Sequence, residues 1–521
     1  NLAESAQTTD WYAYLTIESY RGGKARVEVD NVYEEGFALV KQSDTIPGEN
    51  NFFKEPWRPQ LRFSQKVGWN NDPNGLVYLD GTYHFFFQRN PVGLVWGNMT
   101  WGHAISTDMV HWKQMDHALL PYGNGYMFSG TGAVDHNNSL GKQQGDIKTL
   151  VMLYSYAIDE RDNFGVLPVP SETKYYQGIA YSTDRGRTFK FLNEGLPVIP
   201  NQGSEIDQSG TERDPKFFWH EPSQKWVAVL WMGDDSKHVR FFNSDDLQNW
   251  TVVSDMKREW AHECFDMVYL DVLDADGNPV ASGPKKKWLI YDGNLAYEVG
   301  SFDGKTWTKE QEVMNHMLGH WNAAQTFNNS PDGRSVIIGW LPNRSFRKVK
   351  MPFEQQLSFP ATMHLRRIND KYHLCRWPIK EIELLYGRQW SLSGNRSVAE
   401  VNQEWAKADV EASDITIEFV PKAGEDLTFN LRGNMLRYDA AKNQLHFISK
   451  MNNDRRPAWD KLSTAEKRDR KNRRLRYDRY VMKHALNSDG SVRLRILIDR
   501  ASLEIFLNDG IGVLLYQSGA D

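Results

Sequence analysis

One short pattern returns along the chain and limits the folds open to it. Ile105-Ser106-Thr107-Asp108-Met109-Val110-His111-Trp112 reappears in outline as Tyr181-Ser182-Thr183-Asp184-Arg185-Gly186-Arg187-Thr188-Phe189. It appears again as Asn243-Ser244-Asp245-Asp246-Leu247-Gln248-Asn249-Trp250 and as Ser301-Phe302-Asp303-Gly304-Lys305-Thr306-Trp307. Each copy reads as the end of a strand, a polar turn bearing an Asp, and an aromatic residue that opens the next strand. The spacing is irregular, roughly 55 to 80 residues, and longer than a typical propeller blade of ~40–50. Repeated hairpin units with few helical signals point to a β-propeller. A β-sandwich with similar hairpins is the alternative that the pattern alone leaves open.

Upstream of the first copy lies Trp69-Asn70-Asn71-Asp72-Pro73-Asn74-Gly75, followed by Leu76-Val77-Tyr78-Leu79-Asp80-Gly81-Thr82-Tyr83-His84-Phe85-Phe86-Phe87-Gln88. Asp72-Pro73-Asn74-Gly75 has the residues of a type I turn, with Asp at position i, Pro at i+1 and Gly at i+3. Two runs rich in Val, Tyr and Phe flank Asp80-Gly81, the signature of a tight β-hairpin. Asp72 is therefore expected on a rigid turn just before a strand. On these residues alone, an Asp that merely caps its own turn is as good a reading as a functional one.

The heptad as a whole resembles the nucleophile motif of glycoside hydrolase family 32, the fructan hydrolases and invertases. The usual second residue there is Met, and here it is Asn70. Glu212-Arg213-Asp214-Pro215-Lys216 resembles the family's Arg-Asp-Pro motif, and His262-Glu263-Cys264-Phe265-Asp266 its Glu-Cys motif, with Phe265 where Pro is common. The resemblance runs from about Pro56 to near the C-terminus. It implies an all-β chain: a small N-terminal β extension over 1–52, a five-bladed β-propeller over 53–380, and a β-sandwich over 381–521. In the sandwich region, Asp414–Phe419, Leu427–Leu431, Arg493–Ile498 and Ser502–Leu507 alternate as short strands, with a turn at Asn508-Asp509-Gly510.

The resemblance also implies the chemistry. Cleaving a glycosidic bond takes two carboxyl groups in different environments, one ionised to attack carbon and one protonated to release the leaving oxygen. Asp72 would be the nucleophile and Glu263 the acid/base, while Asp214 would hold sugar hydroxyls. Locally, Arg213 is suited to keep Asp214 ionised, and Trp260, Ala261, Cys264 and Phe265 form an apolar setting for Glu263. Asn71, Gln88 and Arg213 match hydroxyl-binding positions. Trp69, Trp96 and Trp340 match pocket walls, and Phe128-Ser129 belongs to a further pocket motif. The Trp321-Asn322 pair departs from the family's frequent Phe-Tyr and leaves the rim of the site open. The implied activity is release of fructose from the non-reducing ends of fructans by a retaining double displacement, with no metal and no cofactor. An endo-acting levanase and a sucrose-preferring invertase are the alternatives within the class. A fructan-binding protein with a dead site is the alternative outside it.

Composition narrows the remaining choices. Net charge is −5, which provides no global attraction to nucleic acid or anionic membrane. No run of 18 apolar residues spans a bilayer. Two cysteines, Cys264 and Cys375, exclude a disulfide framework. The chain starts at Asn1 with no leader in view, and a secreted, periplasmic or cell-surface protein is expected. Trp11–Tyr20 and Arg26–Tyr33 read as strands around Gly22-Gly23. Between Asp454 and Arg479 stand eleven Lys/Arg and five Asp/Glu, with a capping-box signature at Ser463-Thr464-Ala465-Glu466. The interspersed acids favour a solvated insertion over a surface for an anionic partner.

Overall fold

The computed structural model describes residues 14, 17, 21–24 and 40–517, apart from 124, 159–174, 204–209, 234–235, 343–350, 408–410, 450–478 and 484–485. The expected N-terminal strands and the basic segment with its helix start lie outside the described residues.

Five antiparallel four-stranded blades are arranged in chain order. Blade 1 comprises Gly68–Leu79, Thr82–Asn90, Thr100–Ser106 and Lys113–Gln114, and blade 2 comprises Gly125–Asp135, Thr149–Ile158, Tyr175–Ser182 and Lys190–Phe191. Blade 3 holds Arg213–His220, Lys225–Trp231, His238–Ser244 and Thr251–Lys257. Blade 4 holds Asp266–Leu273, Lys286–Tyr291, Ala296–Phe302 and Trp307–Lys309. Blade 5 is built from Asn322–Thr326, Ser335–Leu341, Ala361–Ile368 and Lys371–Pro378. The first strand of each blade is the inner one, and these pack on one another around the axis. Polar side chains knit them together there. Lys216 Nζ pairs with Asp266 Oδ1 at 2.9 Å between blades 3 and 4, with both side chains buried. Thr326 of blade 5 donates its N–H and Oγ1–H to Asp266 Oδ2 at 2.7 and 2.8 Å. Thr131 Oγ1 donates to Pro215 O at 3.0 Å, and Gln325 Nε2 to Gly130 O at 3.0 Å.

The recurring pattern is the turn between the third and fourth strands of blades 1 to 4. Ser106 Oγ accepts from Met109 N, and Asp108 Oδ1 accepts from Val110 N and His111 N. Ser244 and Asp246 repeat the arrangement with Leu247 N, Gln248 N and Asn249 N. Trp112 and Trp250 each donate Nε1 to the carbonyl three residues back, both at 2.9 Å. Asp108, Asp184, Asp246 and Asp303 all hold their carboxyl groups below the usual range. Backbone and side-chain donors supply the lowering against burial, and Asp108 falls to about 2.

The expected turn at Asp72-Pro73-Asn74-Gly75 does not form. A single strand, Gly68–Leu79, runs through it. On its axial side this strand is paired at Gly68 and Trp69 with Phe353 and Glu354 and bridged at Val77, and Pro73 falls between these points, where it costs no ladder bond. The residues typical of turns instead absorb two one-residue irregularities, between Asn70 and Pro73 and between Asn74 and Val77. Gly75 takes φ +56°, and a Cβ there would lie 2.8 Å from the Phe86 ring. The hairpin at Asp80-Gly81 forms as expected, with φ of +46° and +85° and Leu79 paired to Thr82.

The sandwich has one sheet of Ser413–Phe419, Val492–Asp499, Ser502–Leu507 and Gly512–Gln517, and a second of Leu427–Leu431, Asn434–Asp439, Gln444–Ile448 and Arg479–Lys483. Leu436, Phe447, Leu494, Ile496 and Ile505 fill the space between them. A propeller segment, Met317–Gly319, joins the first sheet as a parallel strand beside Gly512–Gln517. Arg62 reaches Asp499 and Glu504 at 3.2 and 2.5 Å with all three side chains buried. A helix at Val398–Trp405, capped by Ser397 and Glu400, was not foreseen; none of its residues is buried.

Candidate active site

Four of the five inner strands carry an extra residue near the same end, and three of these bulges present the polar residues of the site. In blade 1, Asn71 and Asp72 together oppose Gln88. In blade 2, Ser129 is the extra residue between Phe128 and Gly130. In blade 3, Asp214 and Pro215 fall in the register shift between Arg213 and Lys216. Blade 5 shifts between Asn322 and Gln325. A bulge turns a side chain out of the regular alternation and bends the strand, which suits a strand end that must aim at an axis. Asp214 and Cys264 take φ of +59° and +58°, backbone strain typical of residues held in place by their surroundings.

The carboxyl groups meet in one network. Asp72 Oδ2 accepts from Ser129 Oγ at 2.6 Å, and Oδ1 from Asn71 Nδ2 at 3.0 Å. Trp69 Nε1 in turn holds Asn71 Oδ1 at 3.0 Å. The Cys264 thiol lies 3.4 Å from Asp214 Oδ2 and 3.8 Å from Asp72 Oδ2. Asp214 N donates to Ser155 Oγ at 2.9 Å. Arg213 directs Nε and Nη2 to one oxygen of Glu263, at 3.0 and 2.6 Å.

Two local expectations change. Arg213 directs Nε and Nη2 to Glu263 and Nη1 to Thr211 O, and its approach to Asp214 is 3.7 Å. Burial therefore outweighs it and lifts the Asp214 carboxyl to about 7, with Glu263 and Asp72 adding repulsion. Glu263 is not in an apolar setting. It stands between Arg213 and His262, whose Nε2 is 3.5 Å from Oε1, and its side chain is 27% exposed. Asp72 rises to about 6, chiefly because its carboxyl is desolvated; the Ser129 and Asn71 hydrogen bonds oppose the rise. Burial and the three neighbouring carboxylates keep the Cys264 thiol protonated.

Aromatic rings surround this network. Trp69 is nearly buried and meets Trp340 edge to face at 6.3 Å. Trp96, 41% exposed, stands at the rim against Tyr126 and Phe128, at 6.2 and 5.8 Å. Phe128 meets Tyr175 at 5.5 Å. Gln88 is buried, and its Oε1 has no partner among the described residues. Trp321 does not belong to the rim. It is buried in the propeller core with the Arg376 guanidinium 4.1 Å from its ring, and only Asn322 is partly open. Among the described residues, no group of three His, Cys, Asp or Glu is arranged to hold a metal ion.

Sequence reading missed Tyr126, Tyr175, Ser155 and the contacts of the Cys264 thiol. Tyr126 was within reach, since it shares a strand face with Phe128 two residues on. The other three depend on contacts between strands that pattern does not carry.

The description "Glycosyl hydrolases family 32 N-terminal domain" matches residues 62–378, and "Glycosyl hydrolases family 32 C terminal" matches 382–515. The levanase of Bacillus subtilis is 33% identical over 506 residues, covering 89% of this chain and 67% of the relative. The extracellular exo-inulinase of Aspergillus awamori is 31% identical over 509 residues, covering 89% and 90%. The crystal structure of exo-inulinase from Aspergillus awamori superposes with a TM-score of 0.67 at 27% identity, over 89% of this chain and 93% of that one. The fructofuranosidase of Schwanniomyces occidentalis, at 22% identity and a TM-score of 0.66 over 89% and 92%, shares the fold.

Proposed function

This chain belongs to glycosyl hydrolase family 32 and is a glycosyl hydrolase of the β-fructosidase type, and from that premise we propose that it removes fructose units from the non-reducing ends of fructans with retained configuration. The observation that carries the proposal is the network at the axial mouth, in which Asp72, Asp214 and Glu263 come from three segments and share partners under an aromatic wall.

In this reading Asp72 attacks the anomeric carbon. Ser129 and Asn71 hold its two oxygens, which fixes the carboxylate and favours its charged form. Glu263 protonates the departing oxygen and then takes a proton from the water that releases fructose. Arg213 orients Glu263, and a sugar entering the site competes for that guanidinium. Asp214 binds hydroxyls of the terminal sugar. Trp69, Trp96, Phe128 and Trp340 enclose it, and Gln88 offers an unpaired amide oxygen to a hydroxyl. An enclosed terminal unit leaves no room for the chain to continue beyond it, which supports attack at ends. A secreted, periplasmic or cell-surface setting suits a polymeric substrate, and both named relatives act on polymers by their names.

The test is the product series at low conversion from levan, inulin and sucrose. Free fructose as the only early product from a polymer is expected. An early ladder of fructo-oligosaccharides would show internal cleavage, and faster turnover of sucrose than of either polymer would show an invertase.

A further inference from the structure

A second cleft of about 670 Å³ opens between blades 3 and 4, lined by Trp219, Tyr269, Trp288 and Phe302 among other residues. It is not part of the site above. Trp219 lies five residues along the same strand from Asp214, so the two ends are roughly 15 Å apart at ~3.3 Å per residue. Arg213 and Asp214 open that strand, Trp219 and His220 close it, and Glu221 begins the turn after it.

The lining has a definite chemistry. Tyr269, 49% exposed, lies 5.1 Å from the Trp288 ring at 32°, and Trp288 lies 5.4 Å from Phe218 at 33°. Tyr269 and Trp288 make a tilted pair along the cleft, and Phe218 backs Trp288 from the core side. Tyr269 is the exposed ring of this ledge, and Trp288 lies partly buried beside it. Both lysines of the cleft lining are already ion-paired, and its one acid, Glu221, is engaged by neutral donors of Trp219 and Gln224. Lys286 pairs with Asp271 at 3.2 Å, Lys287 pairs with Glu310, and Glu221 accepts from Trp219 Nε1 at 2.6 Å. An ionic ligand would have to break these pairs. A neutral polyhydroxylated ligand would not: its C–H faces lie on the rings, and its hydroxyls share the donors and acceptors already at the edge.

We propose that this cleft is a secondary binding site for a stretch of neutral β-fructan chain, holding the polymer on the protein away from the point of cleavage. The proposal rests on the fructan-hydrolase reading above. Its benefit is effective concentration: a polymer bound at one site presents its ends to the other more often, with no new contact at the reacting bond.

The experiment compares Tyr269→Ala with the unmodified protein on long levan, long inulin and a β-fructose trisaccharide too short to engage both sites. Tyr269 is half in solvent, so its removal leaves the core in place. The expected result is a three- to ten-fold rise in KM for at least one polymer, with kcat and the trisaccharide kcat/KM unchanged. Levan and inulin as separate arms tell which linkage the ledge accepts. Unchanged KM on both polymers overturns the proposal while leaving the hydrolase reading intact. Failure of the unmodified protein to hydrolyse any fructan would overturn that reading instead. A second measurement reads binding without turnover: Asp72→Asn protein is titrated with insoluble levan in the presence of saturating trisaccharide. Retained binding, reduced by adding Tyr269→Ala, supports a second site; complete displacement by the trisaccharide, or retention that Tyr269→Ala leaves untouched, overturns it.

Discussion

At the scale of single residues, the site sets two carboxyl groups against water. Burial raises both Asp72 and Asp214, to about 6 and about 7. If Asp72 must be ionised to attack, kcat/KM falls as pH drops through about 6. Ser129 donates to the charged form and so lowers this pKa. Ser129→Ala should therefore move the acid limb to higher pH, read from the pH profile on trisaccharide; a limb that stays in place or moves down would contradict the role of Ser129. Asp214 makes a matching statement about stability. Its folded pKa lies above its ordinary 3.8, so its favourable contribution is complete below about pH 4 and is lost as pH rises through about 7. Asp214→Asn resembles the neutral form and escapes that loss. The variant should be more stable than the parent at pH 8, by about 1–3 kcal/mol, with the gap closing as pH falls towards 4. Thermal melts across that range decide it, and a variant no more stable at pH 8 would refute it.

At the scale of elements, two devices repeat. One is the Ser-x-Asp turn outside blades 1 to 4, where an Asp folds several backbone N–H groups onto its carboxylate. Asp108 falls to about 2, so the stability it supplies is present above about pH 4 and is lost as pH falls through about 2. Asp108→Ala should cost about 1 kcal/mol at pH 7, near the ordinary cost of losing such a cap, and the difference from the parent should shrink below pH 4. Chemical denaturation at pH 7 and pH 3 measures both. The other device is the bulge at the axial end of four inner strands. A regular strand alternates its side chains between two faces, and neither face of a blade looks down the axis. An extra residue breaks that alternation where Asp72, Ser129 and Asp214 stand, and this is how flat blades come to share a central site.

At the scale of the whole molecule, propeller and sandwich are tied through buried charge and shared strands. Arg62 is held between Asp499 and Glu504, and Glu504 also accepts from Phe359 N at 2.8 Å. The Cβ position of Gly510 falls 1.8 Å from Arg376 O, so the sandwich backbone lies directly on the last blade. Arg62→Ala removes the ion-pair partner that two buried carboxylates share. It should lose roughly 3–5 kcal/mol, seen as a lower denaturant midpoint. A loss under about 1 kcal/mol would mean that water reaches the pair and that the contact is looser than the geometry indicates.

The amino-acid sequence by itself determined the repeating hairpins, the Asp80-Gly81 turn, the strands of the sandwich and the three motifs. These rest on local chemistry: alternation, turn residues and short spacings act within a few residues and read the same in any context. The tertiary structure alone decided the rest. Asp72-Pro73-Asn74-Gly75 carries every local mark of a turn, yet it is strand, because the axial edge of a blade excuses Pro73 from the ladder and the bulges absorb the misfit. Arg213 is next to Asp214 in sequence but bonds Glu263, fifty residues on, because the bulge at Asp214 parts the neighbours while the next blade brings Glu263 in. Trp321 looks like part of a sugar-binding rim, yet its ring lies under Arg376 in the core. In each case the deciding contact joins segments far apart in the chain, and its energy is set by burial and distance, which local sequence does not encode.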